Sequence, residues 1–228
     1  MAKKTSFVAT LGGLAAAGAA LVAAYSFLAR PWHLRWGSRD DEIQKAYPGD
    51  ELIPEPKLNA THAVTIDAPL AAVWPWLAQI GQGRGGFYSY EWIENLMGLN
   101  MHNANRILPE YQQLKVGDQI PLSPNNFGLP VAVCEPEKML VLHGDTRLDP
   151  EAIPTMNPGD FLAVTWAWYL TPAGEGATRL VERWRCDWNA SPQNWLFMRV
   201  FLEPGAFIME RKMLLGIKAR AEGALEGL

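Results

Sequence analysis

The chain has 228 residues and a formal net charge of −4. That charge does not favour binding to nucleic acid, so we expect no nucleic-acid partner. The two cysteines, Cys134 and Cys186, form no CxxC pair and have no histidine at ligand spacing. We interpret them as buried thiols, with a single disulfide as the alternative, and we expect no metal site and no other cofactor.

An uncharged run from Ser6 to Ala29 is the first feature along the chain. Its 24 residues exceed the ~20 apolar residues that a helix needs to cross a membrane core. A cleaved secretory signal is one alternative, although its apolar part usually has only about 7–15 residues. A buried soluble helix is another, and Gly12, Gly13 and Gly18 disfavour it. We predict a single-pass membrane anchor over residues 1–30.

The flanking charges leave the orientation of this anchor open. Two lysines precede the run and three arginines follow it within ten residues, so the positive-inside bias nearly cancels. The side of the membrane on which the remaining chain lies is therefore undetermined. Gly13 and Ala17 form a small-xxx-small pair, which favours packing on another membrane helix and hence membrane-protein partners.

A polar segment over residues 31–58 comes next. It contains Pro48, Pro54 and Pro56, which are typical of a linker. We predict one short helix near Asp40–Ala46, followed by extended chain that wraps the domain. The domain itself is predicted over residues 59–228.

Two short helices follow the first strand of this domain. Alternating Val64 and Ile66 indicate the strand. From Leu70 to Leu77 apolar residues recur at the spacing of one helical face, and Pro75 predicts a bend there. The second helix is predicted from Ser89 to Met97, with the Ser89 hydroxyl capping its first amides.

A run of strands and a last helix complete the chain. The helical region begins near Asn194, and Pro204 and Gly205 are expected to break it. This order predicts an α+β fold in which a curved antiparallel sheet wraps the last helix. The predicted strands are Gln119–Leu122, Pro130–Cys134, Met139–His143, Leu162–Leu170 and Thr178–Trp188, the last two joined as a hairpin.

Three motifs carry a resemblance to a known superfamily. They are IDAPLAAVW, GRGGFYSYEWIEN and LPEYQQLKVGD, within a match of roughly residues 48–225. The chain resembles the START/polyketide-cyclase-like (SRPBCC, Bet v 1-like) superfamily, in particular a membrane-anchored bacterial branch. The resemblance implies a helix-grip fold with a deep apolar cavity between the sheet and the last helix. This superfamily hosts lipid carriers, hormone receptors, cyclases and iron oxygenases, so the fold does not give the function. The 2-His-1-carboxylate pattern of the oxygenases is not evident.

The apolar wall of that cavity is predicted from tryptophans and methionines. Pairs of tryptophans share one face of each of the two long strands, and methionines share a stripe on the last helix. Ordinary core packing is the alternative for all of them. The candidates are Trp166, Trp168, Trp184, Met209 and Met213.

The polar end of the cavity is predicted near the glycine-rich turn around Arg84. That turn matches GxGxxG, but it follows a helix rather than a strand, so we do not interpret it as a nucleotide site. Arg84 and Arg106 would bind a carboxylate or phosphate head group; the alternative is an ion pair of either arginine with Glu94. His102 is a candidate acid or base, or a residue that fixes the loop. The polar candidates are Arg84, Tyr88, Tyr90, Glu94, His102 and Arg106.

The last strand has two possible orientations. Either Glu182, Trp184 and Cys186 face the core, or Val181, Arg183, Arg185 and Asp187 do. We favour the tryptophan face, because buried arginines would need partners that the sequence does not identify.

These patterns favour binding over catalysis. No nucleophile elbow, metal motif or close carboxylate pair occurs, and we assign no catalytic residue. The leading prediction is a membrane-tethered domain that binds a hydrophobic small molecule such as a lipid, isoprenoid or pigment. The alternatives are a structural subunit of a larger membrane complex, and a cyclase- or hydratase-type enzyme with His102, Glu94 or a tyrosine as acid or base.

Overall fold

The computed structural model describes residues 22–223, apart from 126, 152, 154–156 and 158, together with residues 13, 18 and 20. Most of the predicted anchor, Ser6–Ala29, therefore lies outside the described residues. Within the described part, no helix combines the length and the apolar character needed to span a bilayer. The anchor over residues 1–30 stays a prediction, as do the domain boundaries.

One antiparallel sheet dominates the described chain. Its six strands lie in the order β1-β6-β5-β4-β3-β2, so the first strand pairs with the last and closes one edge. In the pairing of β1 with β6, His62 lies opposite Glu182. In the pairing of β5 with β6, Trp166 lies opposite Trp184. The bounds are β1 Leu58–Ile66, β2 Gln119–Pro121, β3 Gly128–Glu135, β4 Met139–Asp145, β5 Leu162–Pro172 and β6 Thr178–Trp188.

The helices lie before, within and after the sheet sequence. Two segments are wound as π-helix, Tyr25–Ala29 and Phe197–Leu202. Two short 3-10 turns lie at Asp50–Leu52 and Pro109–Tyr111. The α-helices are α1 Arg30–His33, α2 Asp40–Gln44, α3 Leu70–Ala78, α4 Glu91–Leu96, α5 Pro192–Leu196 and α6 Glu203–Ala221.

The expected break at Pro204 and Gly205 is absent. The backbone stays helical from Pro192 to Ala221, with π-helical winding just before α6. Pro204 then falls in the first turn of α6. Proline lacks the N–H that a helix interior uses, and the π-helical winding directly before it, Phe197–Leu202, replaces the usual i→i−4 hydrogen-bond pattern at this point.

The inner face of the sheet packs against α6. Met213, Leu214 and Ile217 on α6 belong to one buried cluster with Ile66 on β1 and Leu180 on β6. The expected α+β helix-grip arrangement is therefore present. Cys134 and Cys186 are both free, so no disulfide joins them.

The outer face of the sheet is also covered. Tyr47, from the polar segment before β1, packs in a second buried cluster with Val141, Tyr169 and Val181. Because this segment lies on the outer face, β6 is buried on both sides along nearly its whole length.

Arginines on the outer face of β6 have partners in the same segment. Arg179 makes a two-armed contact with Glu42, each arm 2.7 Å. Arg183 donates to Asp50 Oδ2 at 2.7 Å and to the carbonyl oxygen of Glu42 at 2.8 Å, and Arg185 lies 3.2 Å from Asp50 Oδ1. The expectation that Trp184 faces the core is confirmed, and the arginines are buried as well, because residues 42–50 supply their acceptors.

Arg183→Met should strongly destabilise the protein. Arg183 is only 2% exposed, and its loss removes the 2.7 Å contact with Asp50 and the donor to the carbonyl oxygens of Glu42 and Ile43. Removing one partner of a buried pair typically costs about 3–5 kcal/mol. The free energy of unfolding from a urea titration measures this.

Arg35→Met is the matched control. Arg35 pairs with Asp40, and both side chains are largely exposed. Exposed pairs contribute about 0–1 kcal/mol. Equal losses in the two variants would show that the outer-face arginine is not essential to the packing of residues 42–50 on the sheet.

Candidate functional site

A cavity of about 450 Å³ lies between the inner face of the sheet and the first half of α6. This volume falls within the range of about 300–1,000 Å³ that small-molecule sites occupy. Its described wall is almost entirely apolar, with contributions from β3, β5, β6, α6 and the loops around α4. The polar side chains on that wall are Ser89, Glu94 and Glu210.

Five of the predicted site residues line this cavity. They come from three separate parts of the chain, which the sheet and α6 bring together. Their role in ligand binding stays a prediction. They are Glu94, Trp166, Trp184, Met209 and Met213.

Trp168 lies one layer behind the wall. It is fully buried in the core, and its ring centroid lies 4.6 Å from that of Trp166. Because the two tryptophans share one strand face, the periodicity in the sequence does not distinguish wall from core. Trp168 therefore shows the ordinary core packing that was the alternative prediction, whereas Trp166 reaches the cavity.

Arg84 points away from the cavity. Its guanidinium donates to the carbonyl oxygen of Ala78 at 2.8 Å and lies over the ring of Tyr111. The turn that carries it is tight: Gly86 has φ +76°, and a Cβ on Gly85 would lie 2.6 Å from Tyr88 Oη. The glycines therefore permit a compact loop that turns the arginine out of the wall.

The other polar candidates are also off the wall. Tyr88 is buried and its hydroxyl donates to the carbonyl oxygen of Trp76, and Tyr90 lies beneath Lys212. Arg106 and His102 are exposed, and His102 lies 3.8 Å from Glu91. Of the acid/base candidates named for an enzyme, only Glu94 reaches the cavity.

Glu94 forms neither of the predicted ion pairs. Its Oε1 accepts a hydrogen bond from Ser89 Oγ at 2.8 Å, and its Oε2 has no partner among the described residues. Ser89 was expected to cap α4, but the cap position is Tyr90 and no side chain caps the helix. Burial is the main cause of a raised pKa at Glu94, and the charge of Glu91 raises it further. This carboxyl group therefore favours its neutral form.

Glu210 belongs to a buried cluster that the sequence analysis missed. His62 Nδ1 lies 2.8 Å from Glu182 Oε2 and 3.4 Å from Glu210 Oε2. Trp166 Nε1 donates to Glu182 Oε1 at 2.6 Å, and His62 Nε2 donates to the carbonyl oxygen of His33 at 2.8 Å. Burial, and then the charge of Glu182, hold the pKa of Glu210 well above its usual range. The cluster meets the cavity at Glu210 and Trp166.

No local signal identifies this cluster. Its members lie on β1, β6 and α6, far apart in the sequence. The β1–β6 register, which places His62 opposite Glu182, is the feature that would have revealed it. That register depends on tertiary structure, because the two strands are joined through the whole domain.

A second buried network ties the N-terminal helical segment to α6. Glu203 accepts from Arg30 Nε at 2.7 Å and from Arg199 Nη1 at 2.8 Å. His33, next to it, bonds Tyr25 Oη at 2.8 Å. Burial, and then the electrostatic influence of His62 and Arg30, lower the pKa of His33 to about 4. The C-terminal end of the predicted anchor and the residues just after it are thus fixed beside the buried cluster.

Comparison with known proteins finds similarity to solved structures alone. No family model and no curated protein matches the chain. The architecture described above corresponds to the helix-grip arrangement that the motifs led us to expect.

Solved structures similar to this chain come from several bacteria. A hypothetical protein from Helicobacter pylori is 14% identical, with 77% of this chain and 95% of that chain covered and a TM-score of 0.47. A protein from Mesorhizobium loti is 16% identical, with 72% and 97% covered and a TM-score of 0.41. A polyketide-cyclase-like protein from Corynebacterium glutamicum is 17% identical, with 76% and 96% covered and a TM-score of 0.34. Similarity at this level concerns the fold and does not identify a ligand.

Glu94→Gln should change how the stability of this domain depends on pH. Above the unfolded-state pKa of about 4.3, the unfolded chain releases the Glu94 proton before the folded protein does. The stabilising contribution of Glu94 therefore falls as pH rises, until the folded pKa is passed. Glutamine keeps the neutral form, so the variant should gain stability relative to the parent as pH rises from 4 toward neutrality. Urea titrations across that interval measure the difference.

Glu110→Gln is the control for this prediction, because it removes an exposed carboxyl group from the loop before β2. The variant should show a smaller change of slope than Glu94→Gln. Parallel pH profiles for the parent and Glu94→Gln would mean that Glu94 is ionised in the folded protein.

Proposed function

We propose that the protein is a membrane-tethered domain that binds a hydrophobic small molecule. The observation that carries the proposal is the cavity of about 450 Å³, whose described wall has three polar side chains among many apolar ones. Apolar surface that remains unfilled in the middle of a domain forfeits packing energy. A hydrophobic ligand recovers that energy.

The polar groups on the wall favour an uncharged head group on this ligand. The arginines expected to bind a carboxylate or phosphate lie off the wall, so nothing there neutralises an anion. Glu94 instead offers a buried Oε2 without a partner in the described residues, on a carboxyl group whose pKa is raised. A hydroxyl or carbonyl group on a lipid, isoprenoid or pigment would hydrogen-bond to it.

The mouth of the cavity supports delivery from a lipid surface. Met97 and Phe197 both line the cavity and are exposed. From Phe197, exposed apolar side chains continue through Trp195 and Phe201. Trp195 also shares a small surface pocket with Tyr25, which connects this apolar surface to the C-terminal end of the predicted anchor. Exposed apolar patches of this kind mark interaction sites, and we assign this one to the membrane.

Met213→Trp tests the cavity directly. Met213 lies on the cavity wall, so the larger ring should occupy ligand space and abolish binding with little loss of stability. Native mass spectrometry after gentle extraction from the membrane should find a stoichiometric apolar ligand on the parent and none on the variant.

Met101→Trp provides the matched control. Met101 is fully buried in the same core but does not line the cavity. Overpacking there should cost about 1–3 kcal/mol. A parent protein that never carries a ligand, together with a Met213→Trp variant as destabilised as Met101→Trp, would contradict the proposal and favour the structural-subunit alternative.

Deletion of residues 1–24 tests the tether. The deletion removes most of the apolar run but keeps Tyr25 and Arg30, which bond Glu203. The shortened protein should appear in the soluble fraction and remain folded, whereas the full chain should sediment with membranes. Sedimentation of both after a high-salt wash would mean that residues 1–24 do not provide the tether.

A further inference from the structure

We propose that His62, Glu182 and Glu210 bind a divalent transition-metal ion at the inner end of the cavity. The three side chains come from β1, β6 and α6, and each offers one ligand atom; these atoms all lie within 4.8 Å of one another. Metal-ligand bonds to nitrogen and oxygen are about 2.0–2.2 Å long, so two ligands of one ion lie up to about 4 Å apart. The distances from His62 Nδ1 to the two carboxylates, 2.8 and 3.4 Å, are within that limit.

The orientation of His62 suits a metal ligand. Its Nε2 lies 2.8 Å from the carbonyl oxygen of His33. A carbonyl oxygen only accepts hydrogen bonds, so Nε2 carries the hydrogen. In the neutral ring, Nδ1 then presents its lone pair toward Glu182 and Glu210. Metal-binding histidines are commonly fixed in this way, by a hydrogen bond from the second ring nitrogen to a carbonyl or carboxylate.

Hydrogen bonds alone leave the cluster incomplete. A single proton on Nδ1 serves one carboxylate, and Glu182 is the nearer. Glu210 Oε2 is buried, points at the same nitrogen, and has no hydrogen-bond partner within the described chain. An ion between the three side chains gives both carboxylates and the nitrogen a partner at once.

The contrast with Glu203 supports this assignment. Glu203 is also buried and lies two helical turns earlier on α6, but Arg30 and Arg199 neutralise it. Neither Glu182 nor Glu210 contacts a lysine or arginine in the described residues; their ion-pair partner there is His62. Two adjacent buried carboxylates that are both ionised need positive charge, and a divalent cation supplies it.

The surroundings favour a particular kind of ion and site. Trp166 Nε1 bonds Glu182 Oε1, which leaves Oε2 to face the ion, as outer-shell partners do. An imidazole with two carboxylates suits zinc, manganese or ferrous iron better than calcium or magnesium, which prefer oxygen ligands. Because Glu210 and Trp166 line the cavity, the remaining coordination positions face the space proposed for the ligand.

Metal titration of the full-length protein tests the inference. After treatment with a chelator, the protein should bind one Zn²⁺ or Co²⁺ per chain by calorimetry, and Co²⁺ should give the visible absorption of a nitrogen- and oxygen-liganded site. Glu210→Gln removes one ligand charge and should weaken binding by at least about 100-fold, more than the 10–100-fold expected for an outer-shell partner. Trp166→Phe, which removes only the bond to Glu182, should fall in that smaller range.

Glu94→Gln is the matched control, because Glu94 is equally buried and lines the same cavity but lies outside the cluster. It should bind Zn²⁺ as the parent does. The melting temperature separates binding from folding. A Zn²⁺ concentration that just saturates the parent should raise the melting temperature of the parent and of Glu94→Gln, and not that of Glu210→Gln. Absence of one-to-one binding by Zn²⁺, Mn²⁺, Co²⁺ and Fe²⁺, or equal affinity in Glu210→Gln and the parent, would overturn the inference. Either result leaves the hydrophobic ligand, which is tested by mass spectrometry of Met213→Trp, unaffected.

Discussion

The structure depends on the burial of β6 on both faces. Along this strand, arginines alternate with Glu182, Trp184 and Cys186, so one face of the sheet receives the guanidinium groups and the other receives Glu182 and the large rings. A buried guanidinium is tolerated only when its donors are satisfied. The segment before β1 satisfies them through Glu42 and Asp50. That segment is therefore a layer of the domain, and the sheet has a covered outer face instead of a solvated one.

The position of the cavity follows from uneven packing along α6. In its second half, Leu214 and Ile217 pack into the core, and Gly216 is so close to the backbone of Tyr88 that a Cβ would collide with its carbonyl oxygen. In its first half, Ala206 and Met209 face open space. There Glu203 is held by Arg30 and Arg199, which fixes the helix beside the N-terminal segment. The helix thus seals one end of the sheet and leaves room at the other.

The cavity wall carries polar groups of two different kinds. Glu94, on α4, is paired with Ser89 and has the character of a neutral hydrogen-bonding group. Glu210, on α6, is backed by His62 and Glu182, so that two carboxyl groups and an imidazole meet in a buried site. A mostly apolar ligand with an uncharged polar group fits the first. The second has the chemistry of a cation site, and the exposed apolar rim connects the cavity with the predicted membrane surface.

The sequence by itself determined the elements with strong local periodicity. The predicted Thr178–Trp188 agrees with β6 as observed, and the expected helix from Leu70 agrees with α3, because alternation and helical spacing are local properties of the chain. The same periodicity placed Trp166, Trp184 and Met213 on the cavity side. Arg84 and the other loop residues were misplaced, because the direction of a side chain on a glycine-rich turn depends on backbone angles that composition does not specify.

Only the tertiary structure decided which distant residues meet. The partners of Arg183 lie in a segment that resembles a linker, since nothing local reveals that its carboxylates and carbonyls will face a sheet. His62 and Glu182 meet through the pairing of the first strand with the last, and Glu210 joins them because α6 crosses that same pair. Such contacts arise from strand register and helix packing, which are set by the fit of the whole core and not by any short stretch of sequence.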